Sequence, residues 1–387
     1  MKKKIYYPLL EDAFSKEDIE IGTKVIQSRQ LTMSKITRNF EKRFAAYLGC
    51  KYAVMVNSGS SANLLSLFVA KYSYKFELGD EIIIPALCWS TSLWPIIQAG
   101  LKPVFVDVNL KDFNASLEEI YSKINKKTKA ILLVHVLGTS LKIDHLTKIL
   151  KKKKILLIED TCESLGTKYK KKFLGTYGRF GTFSFYYSHQ ITSGEGGMVV
   201  TNNKKDYELL KIMRAHGWDR DLKKNKNQKF NFINMGFNLR PLEVSAAIGQ
   251  NQLKRLKYFS TIRKKNRNKI INSLKSHTKW NDQYYFVIPD KNLNPSWFGL
   301  PLLLNRKFLN YKKKIIKNLH TKGIETRPII SGNFLNQKAS KAYNLKIKNQ
   351  KFPNADYIDK AGFFIGLHTK DIKPKTLEHL SNELLNF

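Results

Sequence analysis

Residues 155 to 166 read Ile155-Leu-Leu-Ile-Glu-Asp160-Thr-Cys-Glu-Ser-Leu-Gly166. A short apolar run followed at once by acidic and turn-forming residues describes a strand buried on both faces, ending at a carboxylate. In open α/β sheets ligands gather beyond the carboxyl ends of the strands, so Asp160 is placed to meet one. The same acid also suits a plain cap of the turn that follows. Working outward, similar runs stand at 52–56, 81–85, 103–108 and 130–136, with amphipathic stretches between them. This alternation predicts an α/β domain around a mostly parallel sheet. The segments 181–187 and 197–201 read as two further strands near its edge.

Past Pro241 a helical pattern covers 243–274, with Ile248, Leu253, Leu256 and Phe259 near helical spacing. It leads into a second, smaller portion with strand-like runs at 284–288 and 297–304 and helical ones at 311–322 and 374–386. We therefore expect a large domain over 1–250, which includes the N-terminal segment. A smaller C-terminal α/β domain over 251–387 is entered by the long helix.

The 387 residues, 42% hydrophobic, are ample for a buried core. No run approaches the roughly 18 apolar residues of a membrane span, and Met1-Lys-Lys-Lys-Ile-Tyr-Tyr-Pro8 lacks the apolar core of a secretion signal. A cytoplasmic protein with no membrane partner is expected. The net charge of +37 raises the question of nucleic acid. Its 56 lysines are spread in short runs rather than gathered on an arm or recognition motif, so no nucleic-acid partner is expected. The charge suits attraction of a diphosphate-bearing substrate. Cys50, Cys88 and Cys162 stand far apart, which indicates neither a disulfide framework nor a metal site, and three cysteines do not supply the four ligands of an iron–sulfur cluster.

Several residues carry chemistry as well as fold. Asn57-Ser-Gly-Ser-Ser-Ala-Asn63 follows a strand and precedes an apolar helical run. It sets the amides of Gly59 and Ser60 at a helix start, where phosphate binds well; a Ser/Asn cap with a turn glycine reads the same way. Trp89 follows the second strand, where its indole suits either the core or the face of a planar ligand. Ser184 precedes His189 by five residues on one strand and turn. A histidine has an ordinary pKa of about 6.5, so much of it is free to accept a proton at neutral pH.

Together Phe40-Glu-Lys-Arg-Phe44, Val56-Asn-Ser-Gly-Ser-Ser-Ala-Asn63, Ile158-Glu-Asp-Thr-Cys-Glu-Ser164, Ser193-Gly-Glu-Gly-Gly197 and Gly236-Phe-Asn-Leu-Arg-Pro241 resemble the DegT/StrS-type sugar aminotransferases over nearly the whole chain. The resemblance implies a PLP-dependent transferase of fold type I, similar to aspartate aminotransferase, using pyridoxal 5'-phosphate (PLP) and pyridoxamine 5'-phosphate (PMP). By that resemblance Gly59, Ser60 and Ser184 hold the phosphate, Trp89 stacks on the ring, Asp160 pairs with the ring nitrogen and Glu163 sits alongside. Asn238 reaches across a homodimer whose cofactor sites lie near the interface.

In that family a lysine bonds the cofactor where this chain has His189, within Thr182-Phe-Ser-Phe-Tyr-Tyr-Ser-His189-Gln-Ile-Thr-Ser-Gly-Glu-Gly-Gly-Met-Val-Val-Thr201. Imidazole is no primary amine, so the cofactor would be held without a covalent link. His189, Ala86-Leu-Cys-Trp-Ser90, Arg214-Ala-His-Gly-Trp-Asp-Arg220 and Gly323-Ile-Glu-Thr-Arg-Pro328 are similar to a branch that begins colitose synthesis. That branch strips the C3 hydroxyl from a nucleotide-linked 4-keto-6-deoxyhexose and consumes glutamate. The resemblance puts Arg220, Arg240 and Glu325 near the nucleotide sugar and makes His189 catalytic. An iron–sulfur-dependent branch also carries histidine here, but it needs a cysteine set that this chain lacks. A nucleotide-sugar 4-aminotransferase and a non-catalytic sugar-nucleotide-binding protein are the alternative readings.

Overall fold

The computed structural model describes residues 5–11, 13–220, 222, 230–346 and 350–387. Helices α1 (Lys16–Gln27) and α2 (Lys35–Leu48) come first. Then β1 (Tyr52–Val56), β2 (Glu81–Pro85), β3 (Lys102–Val106), β4 (Thr128–Val134) and β5 (Leu156–Asp160) alternate with α3 (Gly59–Tyr74), α4 (Ser90–Gln98), α5 (Leu117–Lys123) and α6 (Ile143–Lys153). A small hairpin, β6 (Lys168–Tyr169) and β7 (Lys172–Phe173), precedes β8 (Phe180–Ser184), β9 (Gly197–Thr201) and α7 (Lys204–Arg214).

Seven strands form one sheet in the order β1-β9-β8-β5-β4-β2-β3. Every neighbouring pair is parallel except the two that include β9. β9 is reversed because the chain turns straight back through the His189 segment, with no crossover helix to restore its direction. The two strands expected near the edge are β8 and β9, which lie third and second from it, and β1 forms the edge itself. β8 also ends at Ser184, so the remainder of that run leaves the sheet as a turn. Side chains that alternate along the strands feed two faces. Val54, Leu132 and Ile158 join one core cluster, while Met55, Phe183 and Met198 pack with Phe40 and Phe44 of α2.

Helix α8 (Glu243–Lys275) has 33 residues and is about 50 Å long. Its Glu243 carboxylate accepts the amides of Ser34, Ile36 and Thr37, which caps α2 from a distant part of the chain. Further along, Asn251 and Gln252 donate to the buried Asp18 and pin α1. Beyond it lie β10 (Tyr284–Tyr285), β11 (Leu293–Asn294), β12 (Gly299–Leu304), α9 (Lys312–Thr321), β13 (Thr326–Arg327), α10 (Lys338–Ala342), α11 (Pro353–Ala361), β14 (Gly362–Gly366) and α12 (Pro374–Leu384). The second sheet is antiparallel, in the order β10-β12-β14-β13.

We place the division between the two portions within α8, which runs unbroken through residue 250. The N-terminal segment packs on the smaller sheet's portion: the amides of Tyr6 and Tyr7 donate to the Gly323 carbonyl, and the Tyr7 hydroxyl to that of Gly366. No helix among the described residues is long and apolar enough to cross a membrane.

Candidate active site

A cavity of about 1110 Å³ opens at the carboxyl ends of the central strands. Gly59, Ser60, Trp89, Asp160, Glu163, Ser184 and His189 all line it, so the fold brings together seven residues spread over 131 positions of sequence. Elements of both portions close it, with Phe298, Arg327 and Phe364 coming from the smaller one.

Helix α3 supplies the first feature. Ser58 caps it by accepting the Ser61 amide at 3.1 Å, and Gly59 and Ser60 take its first two positions. Amides there have no acceptor within the helix and share the positive end of its dipole. A Cβ on Gly59 would lie 2.5 Å from Ser184 Cβ and 3.1 Å from Cys162 Sγ, so only glycine lets the helix start close on the strand end. Gly197 serves the same packing, since a Cβ there would meet the Ser58 carbonyl oxygen at 2.2 Å. Forcing a methyl group into such contacts costs about 1–3 kcal/mol. We expect Gly59→Ala to weaken retention of added PLP about five- to hundredfold, as measured by quenching of tryptophan fluorescence.

Asp160 ends β5 and is buried. Its Oδ2 accepts from Asn63 Nδ2 at 2.7 Å and Ser92 Oγ at 2.6 Å, and its Oδ1 from the Cys162 amide at 3.2 Å. Asn63 is in turn fixed by the Thr182 hydroxyl at 2.6 Å. The carboxylate is thus held in one orientation by α3, α4 and β8 while still facing the cavity. Asn63 and Ser92 lie inside quoted or adjacent sequence, but their role is visible only once three elements meet.

Glu163 accepts the Leu137 amide at 3.0 Å. Burial, joined by the nearby Asp160 charge, raises its pKa to about 7 against the pull of that amide. A carboxyl with a raised folded pKa adds stability below its ordinary range near 4.5 and loses it as pH rises through about 7. We expect kcat/KM to show an inflection near pH 7 that Glu163→Gln removes. An inflection that persists in that variant would assign the titration to another group.

His189 lies on the turn after β8, with its amide donating to the Tyr186 carbonyl at 3.0 Å. Its ring meets Phe298 edge-on at 5.1 Å. Nδ1 is buried and carries no hydrogen bond. Burial, then the charges of Arg263 and Arg327, lower its pKa to about 3, so the ring is neutral throughout the physiological range. This is a stronger bias than the ordinary histidine value implies.

The remaining expected residues do not line the cavity of the single chain. Arg220 is exposed and stacks on Trp218 at 4.7 Å, and Arg240 Nε donates to Asn238 Oδ1 at 3.0 Å on an open face. The Glu325 carboxylate accepts the Leu9 amide at 2.9 Å and so holds the N-terminal segment. From that same motif it is Arg327 that reaches the cavity, joined by Gln337 and Lys338. Sequence reading missed these three; the arginine two positions past Glu325 was the available signal.

These residues fit PLP. A helix start and Ser184 suit its phosphate, a glycine leaves room that a side chain would fill, an oriented carboxylate suits its ring nitrogen, and no lysine stands where one would bond it. The site and the sheet define an α/β protein of the PLP-dependent transferase type, with His189 on the cavity wall after β8. A model of the DegT/DnrJ/EryC1/StrS aminotransferase family matches residues 12–384, and the chain belongs to that family.

It is 40% identical over 395 residues to GDP-4-keto-6-deoxy-D-mannose 3-dehydratase of Yersinia pseudotuberculosis, covering 98% of each protein. Its fold matches E. coli GDP-4-keto-6-deoxy-D-mannose-3-dehydratase with bound hydrated PLP at a TM-score of 0.91 and 36% identity, over 99% of this chain and 100% of that one. A mutant GDP-4-keto-6-deoxymannose-3-dehydratase with bound GDP-perosamine matches at the same TM-score and identity, over 98% and 100%.

Proposed function

We propose that this protein is a PLP- and PMP-dependent 3-dehydratase of a nucleotide-linked 4-keto-6-deoxyhexose, with GDP-4-keto-6-deoxymannose as substrate and glutamate as reductant, in deoxysugar synthesis. The observation that carries this reading is His189, neutral and part-exposed in a cavity otherwise built for the cofactor. Likeness to named 3-dehydratases over almost the whole chain supports the substrate.

When bound, the cofactor supplies an amine for the C4 ketone and a ring that takes up electrons. The chain does the rest. Asp160 would hold the ring nitrogen, the α3 start and Ser184 would anchor the phosphate, and Trp89 would lie against the ring. His189 would take the proton of the glutamate α-carbon in the first half and, in the second, hand a proton to the departing C3 hydroxyl. A lysine at this place would bond the cofactor in exchange for the sugar, which would leave with its nitrogen; imidazole is no primary amine and cannot, so loss of the hydroxyl is favoured.

The balance is one 4-keto sugar and one glutamate giving one 3-deoxy-4-keto sugar, one 2-oxoglutarate and one ammonia. The rim cations Arg327 and Lys338 suit the diphosphate. We further propose a cytoplasmic homodimer without iron–sulfur cluster, membrane or nucleic-acid partner. Exposed Phe230, Phe232 and Met235 supply an apolar face beside exposed Asn238, which supports a site completed by Asn238 of the partner subunit; Arg220 and Arg240 then approach the nucleotide sugar.

Nitrogen fate tests the reading. With ¹⁵N-glutamate, one labelled ammonia is expected per sugar converted, and label retained at C4 would make the protein an aminotransferase.

A further inference from the structure

Arg263 lies in the middle of α8 and is only 2% exposed. Among the described residues it forms no ion pair. Its Nε donates to the Leu367 carbonyl at 3.1 Å, and its two terminal nitrogens donate to the carbonyls of Gln190 at 3.2 Å and His189 at 3.4 Å. A buried cation without a carboxylate partner is costly, and an apolar side chain would fill the space without that cost. The forked guanidinium is the one side chain that reaches three carbonyls at once. Two of these belong to the turn that carries His189, and the third to the exit of β14 in the smaller portion.

The turn is also held at its ends, where the Ser193 amide and the Thr192 hydroxyl donate to the Phe185 carbonyl, and by the His189 amide on the Tyr186 carbonyl. Gln190 donates to the Glu163 and Ser296 carbonyls, but the imidazole itself has an unpartnered Nδ1 and only ring contacts to Phe298 and Tyr186. Its aim is therefore set by its main chain.

We propose that Arg263 is the positioning residue for His189, clamping the main chain of the His189 turn to the β14 exit through three carbonyls. The inference rests on His189 being the base of the proposed function. The clamp also brings a fixed positive charge beside the imidazole. The other charged and titratable groups lining the same cavity are Arg327 from β13, Lys338 from α10, Asp160 at the end of β5, Cys162 and Glu163 just after it, and Tyr186 and Glu195 from the segment that carries His189. Arg263 and Arg327 both oppose a charged ring.

The test uses the PLP-loaded enzyme with ¹³C-labelled histidine, the His189 signal being the one absent from His189→Asn. Arg263→Gln keeps donors but removes the charge. Its His189 midpoint is expected about one pH unit higher, read as several-fold more charged imidazole at pH 4.5. Its kcat is expected to fall at least about tenfold with the sugar-nucleotide KM little changed. An unmoved titration with kcat within twofold would overturn the proposal.

If Arg263→Gln does not fold, Arg263→Lys decides: it keeps the charge and should keep the titration, but one compact ammonium cannot span three carbonyls, so kcat should still fall about tenfold. A fully active Arg263→Lys enzyme would overturn the clamp. Full dehydration by His189→Asn would instead remove the function reading, which keeps the two failures apart.

Discussion

Replacing His189 by lysine is expected to abolish C3 dehydration, with a loss of at least about 10³-fold, in the upper part of the range for removing a positioned general base. The replacement does more than delete a base. Lysine is a primary amine set in the cavity that Asp160, Ser184 and the α3 start already shape for the cofactor. The burial and the Arg263 and Arg327 charges that keep the imidazole neutral also disfavour an ammonium, so the new amine would be reactive. Borohydride reduction followed by intact-mass measurement should then show one added cofactor per chain in His189→Lys and none in the unchanged protein. Undiminished dehydration by His189→Lys would remove His189 from the role assigned to it.

Asp160→Asn is the second large effect. Ser92 and Asn63 can still donate to the carbonyl oxygen of an asparagine, so the one bond lost is that from the Cys162 amide and the melting temperature should fall only by a few degrees. What is lost is the negative charge that, in the proposed function, keeps the ring nitrogen protonated. Without it the ring is a weaker electron sink in both half-reactions, and kcat should fall about 10²–10³-fold, comparable to removing one preorganised electrostatic group from an active site. Equal losses in glutamate transamination and sugar dehydration, followed in separate half-reactions, are expected. A loss confined to the sugar half would place Asp160 at the substrate rather than at the cofactor.

The parts of the fold legible in the sequence are those fixed by local rules. β1 and β9 have the expected bounds because each is an apolar run closed on both sides by turn or polar residues, and β2 because it runs from the acidic Asp80-Glu81 pair to Pro85. The phosphate-ready start of α3 and the strand-end position of Asp160 follow from neighbours within a few residues. The reversal of β9 was not visible, since nothing in 185–196 states on its own that the chain turns back.

The unread part of the site depends on distant contacts. Asn63 meets Asp160 across 97 positions and Arg263 meets His189 across 74, with no local pattern to announce either. Glu325 and Arg327 are two residues apart, yet one holds the N-terminal segment and the other lines the cavity. Short segments such as β13 do not reveal which side chain turns inward. Arg220, Asn238 and Arg240 stand on open faces of the single chain, where their part is played only if a second subunit supplies the rest of the site. The imidazole's neutrality is a property of burial and two arginines brought together by folding, and the histidine's ordinary pKa did not express it.

The most direct measurement is NMR of the sugar after the protein has been incubated with PLP, glutamate and GDP-4-keto-6-deoxymannose, following C3 and C4. A methylene group at C3, with the C4 carbonyl restored, is the predicted result. A hydroxyl retained at C3 with an amine at C4 would contradict the account and leave the protein an aminotransferase.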